Sequence, residues 1–262
     1  MIEPLPSDPP APAASSSPRR ERPSERPNPR GASSESTGPR RDRPIEHLIW
    51  YRAIQYVVAT FFTVYGGWRA TGRHNLPKQG GVLLVSNHIS YLDVFLLGLP
   101  LTRPLNYVAR STLFLPVLAN LIRSVGGFPI QRDGLGASGL KETLRRLKHG
   151  GIVTLFPEGT RSPDGEIGEV KPGIAVLVSR ARVPVVVAGI AGTFEAWPRS
   201  QLLPLPHPLR IHYGLPIWPS ELENMDTDQI TSLIAGRMKE SQAIAREALA
   251  RDMQTQVPAA RA

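Results

Sequence analysis

Three runs of strand length consist almost wholly of apolar residues: GVLLVS (81–86), GIVTLF (151–156) and VPVVVAGI (183–190). A strand with one wet face alternates apolar and polar side chains, so a run without alternation needs cover on both faces. Segments with helical spacing stand between and around these runs. ASGLKETLRRLKH (137–149) places Leu140, Leu144 and Leu147 on one face and is stopped by two glycines. YLDVFLLGLP (91–100) reads as a short helix ended by Gly98 and Pro100, with Asp93 about one turn in. Near the carboxyl terminus, DTDQITSLIAGRMKESQAIAREALA is an amphipathic helix opened by Asp226 or Thr227. NYVA and GGFPIQ add short strands, and LRIHYG (209–214) is expected at a sheet edge. The alternation predicts an α/β chain: a single domain with a mostly parallel central sheet flanked by helices. Its crossovers should be right-handed and its active site should lie at the carboxyl ends of the strands.

A length of 262 residues suffices for one such domain. The absence of cysteine removes disulfides, thiolate metal sites and a cysteine nucleophile from consideration, and it fits a reducing compartment. The formal charge is +9, of which residues 1–45 carry only +2, so the folded part is itself basic. Anionic lipid, phosphorylated small molecules and nucleic acid all suit that charge. No nucleic-acid motif or interleaving of aromatic with basic residues accompanies it. Residues 1–45 are rich in Pro, Ser and Arg, lack the apolar core of a secretory signal and bury too little to offset ordering; they are expected to be a disordered tail.

Residues 46–70 change character. Between Arg52 and Arg69 only Gln55, Thr60 and Thr63 are clearly polar. As a helix this stretch would reach about 24 Å, short of the ~30 Å hydrocarbon core. Aromatic residues along it and arginines at both ends favour a helix lying in one leaflet; a core helix or a full span are the other readings.

The polar residues worth examining follow the strand-length runs. His88 and Asp93, five positions apart in NHISYLD, come directly after 81–86. Chance alone supplies roughly 0.2 such spacings in a chain of this composition, so the spacing by itself is weak. On a regular helix the two side chains would diverge by roughly 140°, and they meet only if His88 belongs to the preceding turn. A carboxylate on one ring nitrogen would fix the tautomer and leave the other nitrogen free to take a proton from a hydroxyl. The bland reading is a helix-start histidine bonded to backbone beside a dipole-favouring aspartate. FPEGTRS (156–162) follows the second run and joins a carboxylate, a glycine, a hydroxyl and an arginine suited to bidentate phosphate contacts. It lacks the GxxxxGK[ST] pattern of a nucleotide P-loop. GGFPIQRDG (126–134) presents Arg132 in a similar way. Arg132 and Arg161 could alternatively be surface ion-pair partners of Asp133 and Glu158.

Together NHISYLD, GGFPIQRDG, FPEGTRS and VPVVV, in this order, resemble the four motifs of the glycerophospholipid acyltransferases, most of all the bacterial 1-acylglycerol-3-phosphate acyltransferases. The resemblance runs from about Thr71 to Tyr213 and includes GRHNLPKQGGVLLVSNH and VKPGIAVL. It implies a glycerol-3-phosphate acyltransferase-like fold over residues 71–220. An apolar membrane-associating helix (46–70) would precede that domain, and a helix and tail (221–262) would follow it. It implies His88 as general base on the acceptor hydroxyl and Asp93 as its orienting partner. Arg132, Glu158, Gly159, Thr160 and Arg161 would bind the acceptor, with Arg161 on its phosphate, and 183–187 would lie near the acyl donor. Val187 stands where the family commonly has a second proline.

The expected reaction moves a fatty acyl group from acyl-CoA or acyl carrier protein, as co-substrate, onto the free hydroxyl of 1-acylglycerol 3-phosphate. The product would be phosphatidic acid. No cofactor or metal is called for, and with neither cysteine nor a GxSxG elbow, direct transfer is preferred to an acyl-enzyme. Backbone N–H groups at the start of the 90–98 helix are candidate oxyanion donors. Other acceptors with the same chemistry are lyso-ornithine lipid, other lysophospholipids and glycerol 3-phosphate; a non-catalytic lipid-binding protein is the rival from another class. The expected partners are the lipid substrate, an anionic membrane surface and acyl carrier protein, with no nucleic acid. Lys141, Arg145 and Lys148 give helix 137–149 a basic face that could rest on headgroups. The expected location is the cytoplasmic face of the inner or plasma membrane.

Overall fold

A computed structural model describes residues 45–110, 119, 122–123, 126–130 and 136–256. The tail 1–44, Arg132 and residues 257–262 lie outside these. The chain order is α1 (Ile45–Tyr65), β1 (Trp68–Thr71), β2 (Val82–Ser86), α2 (Leu92–Leu96), β3 (Leu105–Arg110), β4 (Phe128–Ile130), α3 (Gly136–Lys148), β5 (Ile152–Leu155), α4 (Gly173–Ala181), β6 (Val185–Ala191), α5 (Thr193–Ala196), β7 (Leu209–Tyr213), α6 (Pro219–Leu222) and α7 (Thr227–Gln256). Among the described residues the strands form one seven-stranded sheet in the order β1-β7-β6-β2-β5-β3-β4.

The five strands from β6 to β4 are mutually parallel; β7 runs antiparallel to β6, and β1 runs parallel to β7. The expected edge strand 209–214 is therefore internal. The edge on that side is β1, three of whose four residues, Trp68 to Ala70, sit in the segment expected to be helical to residue 70. Helix α1 stops at Tyr65 because Gly66 and Gly67 follow. The Gly67 N–H returns to the Phe62 carbonyl at 2.8 Å, and Gly67 takes a φ of 80° that disfavours other residues.

The unbroken apolar runs have the cause inferred for them. On β2, Val82 and Leu84 enter one core with Leu105, Val186 and Ile211, whereas Leu83 and Val85 enter a second with Val153, Val185 and Val187. Successive residues point to opposite faces, and here both faces are dry. Helices α1 and α2 supply the first core, through Phe62, Leu92 and Leu96. Helices α3, α4 and α7 supply the second, through Leu147, Ile174, Leu177, Ile230, Ile234 and Met238.

Two helices have instructive details. Asp226 caps α7 reciprocally: its Oδ1 accepts the Gln229 N–H at 2.8 Å, and Gln229 Oε1 accepts the Asp226 N–H at 2.9 Å. The helix then presses so closely on β6 that a methyl group at Gly189 would collide with the backbone of Ser241 and Gln242. It is part of the domain's second layer. In α1 the polar interruptions are docking points. Gln55 donates to the carbonyls of Gly98, Leu99 and Leu101, and Arg52 to those of Leu101 and Thr102. Tyr51 and Phe62 are buried beneath α1, whereas Tyr56, Val57, Phe61 and Val64 face outward. No helix among the described residues is long and apolar enough to cross a membrane.

Candidate active site

Three neighbouring strands, β6, β2 and β5, deliver polar residues at their carboxyl ends. The first turn after β2 is pinned by Asn87, fully buried. Its amide donates to the Ile190 carbonyl at 3.1 Å and accepts the Ile190 N–H at 2.8 Å, as a strand residue would. His88 follows in the turn and Asp93 lies in the first turn of α2, one position into the helix rather than a full turn. That placement removes the helical divergence. His88 Nδ1 lies 2.9 Å from Asp93 Oδ2.

Asp93 is wholly buried and richly supplied with donors. Its Oδ2 also accepts the backbone N–H groups of Ile89 and Ser90, each at 2.7 Å, and its Oδ1 accepts the Thr193 hydroxyl at 2.6 Å. With Asp93 an acceptor throughout, the His88 proton belongs on Nδ1, and Nε2 is left with a lone pair. Nε2 has no partner among the described residues, and the imidazole stacks on Phe156 with ring centres 4.1 Å apart. Such a ring can accept a proton at one nitrogen while a buried carboxylate stabilises the resulting cation at the other.

FPEGTRS reaches the same point from β5, and the backbone of His88 is its attachment. Glu158 Oε1 accepts the His88 N–H at 2.9 Å, and the His88 carbonyl accepts the Ser162 N–H at 2.8 Å. Glu158 Oε2 accepts the Gly168 N–H at 2.9 Å. Burial pushes the Glu158 carboxyl above the usual glutamate range, and the N–H groups of Gly168 and His88 pull it partly back. Both oxygens are thus committed to backbone. The ion pair between Glu158 and Arg161 entertained above does not form among the described residues.

Arg161 instead lies over the Tyr91 ring, its guanidinium carbon 3.5 Å from the ring centre, with Nη1 buried and without a hydrogen-bond partner. A buried donor without an acceptor is costly and marks where an anionic ligand would complete the arrangement. Gly159 has a φ of 70°, and a methyl group there would lie 2.8 Å from Lys171 Nζ, so the lysine stem crosses the turn where no other side chain fits. Thr160 is the neighbouring hydroxyl of this turn.

Two expectations change. The Ser90 N–H goes to Asp93 and the Leu92 N–H to Ser90 Oγ at 3.3 Å, so these amides at the helix start are not free oxyanion donors. Of the segment 183–187, Val185, Val186 and Val187 are buried inside the sheet, level with Leu83 to Val85, and only Val183 and Pro184 are partly exposed. The residues of β6 level with His88 begin at Ile190. Sequence reading missed Thr193, Tyr91, Phe156 and Lys171. The signal for Thr193 was its place directly after the third apolar run; Tyr91 and Phe156 sat inside quoted motifs as apparent filler.

Residues 68–191 match the Acyltransferase family model. That match covers just under half of the chain. The chain is 28% identical over 144 residues to the 1-acyl-sn-glycerol-3-phosphate acyltransferase of Bacillus subtilis, covering 54% of this chain and 71% of that protein. It is 33% identical over 131 residues to a chloroplastic 1-acyl-sn-glycerol-3-phosphate acyltransferase of Arabidopsis thaliana, covering 48% of this chain and 36% of that one. Its fold is that of the Thermotoga maritima 1-acyl-sn-glycerophosphate acyltransferase PlsC, with a TM-score of 0.66 and 24% identity over 79% of this chain and 83% of that chain. The segment matched by the family model runs from β1 to β6, so His88, Asp93, Glu158 and Arg161 all fall within it.

Proposed function

We propose that this acyltransferase transfers a fatty acyl group to the free hydroxyl of 1-acylglycerol 3-phosphate, giving phosphatidic acid. The observation that carries the reading is the His88–Asp93 contact of 2.9 Å, with Nε2 open, on the same strand ends as the unpartnered Arg161 Nη1. The relatives named for this reaction support the acceptor.

In the reaction, His88 Nε2 takes the proton of the acceptor hydroxyl as its oxygen attacks the thioester carbonyl. The imidazolium is stabilised by Asp93 through Nδ1. A carbon–oxygen ester bond forms, the carbon–sulfur bond breaks, and the proton passes from His88 to the departing thiolate. Asp93 is held in turn by two backbone amides and Thr193, so the ring is aimed before substrate arrives. Arg161 and Lys171 receive the acceptor phosphate. Glu158 shapes the His88 turn rather than touching substrate. The donor is acyl-CoA or acyl carrier protein. The outward apolar residues of α1 rest in one leaflet at the cytoplasmic side of the membrane, bringing the site to a lipid that stays there.

The test is purified full-length protein offered a panel of acceptors (1-acylglycerol 3-phosphate, lyso-ornithine lipid, other lysophospholipids, glycerol 3-phosphate) with either donor. Phosphatidic acid should be the main product, and His88→Ala should lower turnover by ~10²–10⁴-fold, the usual worth of a general base. Undiminished turnover in that variant, or preference for an acceptor without phosphate, overturns the reading.

A further inference from the structure

The two most exposed leucines among the described residues, Leu202 and Leu203, are not on α1. Leu202 is 87% exposed, Leu203 71% and Leu205 53%, all in residues 198–208, which join α5 to β7. Single exposed leucines are ordinary, but three within four positions of one loop are not. The loop is firmly built. The Leu205 N–H donates to the Ala196 carbonyl at 2.7 Å, the Gln201 N–H to that of Pro198 at 3.2 Å, and Trp197 Nε1 to the Gln201 carbonyl at 3.1 Å. Four prolines (198, 204, 206 and 208) stiffen it further. Its leucines are therefore held outward rather than caught in transit.

Position and charge indicate what covers them. The loop is tied to α1 by the Tyr65 hydroxyl, which donates to the Pro204 carbonyl at 2.6 Å, and Leu205 shares a crevice with Phe61, Phe62 and Tyr65. It is tied to the catalytic turn as well: Ser90 Oγ donates to the Trp197 carbonyl at 2.9 Å, and the Trp197 and Tyr91 rings lie 5.3 Å apart. The outward apolar surface of α1 thus continues across the loop to the mouth of the site. The loop carries Arg199, exposed, and no acidic residue, and α1 from Arg52 to Tyr65 carries none either, whereas the nearby Arg69 and Arg210 are paired with Asp252. An apolar surface free of carboxylates, with an arginine on the same loop, is complementary to an anionic bilayer.

We propose that residues 198–208 are a second membrane-inserting element, with Leu202 and Leu203 entering the same leaflet as the outer face of α1. One helix lying in a leaflet can roll about its axis; a second contact beside it fixes the roll and points the carboxyl ends of β2, β5 and β6 at the bilayer surface. This inference rests on the lipid-acceptor reading above for its purpose, yet its test does not depend on acyl transfer.

The absence of cysteine makes a direct probe available. Leu203→Cys, labelled with an environment-sensitive nitrobenzoxadiazole dye, is mixed as full-length protein with vesicles of phosphatidylcholine containing phosphatidylglycerol as the minor component. Dye emission should rise and shift to the blue, and acyl chains brominated near the headgroup should quench it. Leu215→Cys is the control. Leu215 is 69% exposed, but it follows β7 at the opposite end of the sheet, beside Val187, and its dye should not respond. In unlabelled protein, Leu202→Ser with Leu203→Ser should weaken vesicle partitioning by ~10²–10⁴-fold, as expected for removing two leucines from hydrocarbon. Turnover on a dispersed short-chain acceptor should stay unchanged. A silent dye at 203, an equal response at 215, or a double variant that changes the oligomeric state but not vesicle binding would each overturn the proposal. Loss of turnover with intact dye insertion would instead strike the acceptor reading alone.

Discussion

Replacing Glu158 by glutamine separates two accounts of FPEGTRS. Both carboxylate oxygens accept backbone N–H groups, from His88 and Gly168, each at 2.9 Å. Glutamine has one acceptor oxygen, so one of those amides would face an NH₂ group. Losing a buried hydrogen bond to a charged group costs about 1.5–3 kcal/mol, and removing a buried charge whose carboxyl is pushed upward by desolvation gives part of that back. The net expectation is a loss of about 1–2 kcal/mol by urea denaturation. The catalytic consequence is larger than the stability change, because the amide that slips is that of His88 itself. A displacement approaching 1 Å is worth about 10²-fold, so kcat should fall by ~10–100-fold while KM for the acceptor hardly moves. There is also a pH signature. The folded-state carboxyl titrates above its unfolded value, so its contribution is fully present below the ordinary glutamate range and is lost as pH rises through the raised value. The stability advantage of the native chain over Glu158→Gln should therefore shrink across that window. Unchanged stability with a raised acceptor KM would refute the backbone role and restore Glu158 as a substrate contact.

Further outcomes follow from the same geometry. Arg161→Ala should raise KM for the phosphate-bearing acceptor by ~10–100-fold, in initial-rate assays, with the donor KM unaffected. Thr193→Val should lower kcat by about tenfold and Thr193→Ser should recover most of it, because only the hydroxyl reaches Asp93 Oδ1. Gly189→Ala should cost about 1–3 kcal/mol by thermal or urea unfolding, since the added methyl meets the α7 backbone; an unperturbed variant would mean that α7 is not seated on β6.

Much of the architecture was legible because its cause is local. A short, β-branched apolar run without alternation, read as a strand, needs two dry faces, and Val82 to Val85 divide between the two cores accordingly. The misplaced pieces were those with little local signal. WRAT has only four residues and became the edge strand through pairing with β7, a contact between residues some 140 positions apart. LRIHY reads as half-exposed from its composition, yet β1 covers its outer edge.

The site divides the same way. Sequence determined which residue types were present and that two of the groups followed strand-length runs, which is why His88, Asp93, Glu158 and Arg161 could be named. It could not decide what each touches. Spacing alone set His88 and Asp93 about 140° apart on a helix, and only the turn before α2 brought them to 2.9 Å. Glu158 looked like a ligand for substrate until the crossing of two loops gave both its oxygens to backbone. Thr193 joined the group because β6 lies beside β2, a neighbourhood set by sheet order. Propensity, apolar periodicity and turn chemistry act over a few residues and are written in the chain. Hydrogen-bond assignments between loops depend on which strands become neighbours, and that is settled only when the whole sheet packs.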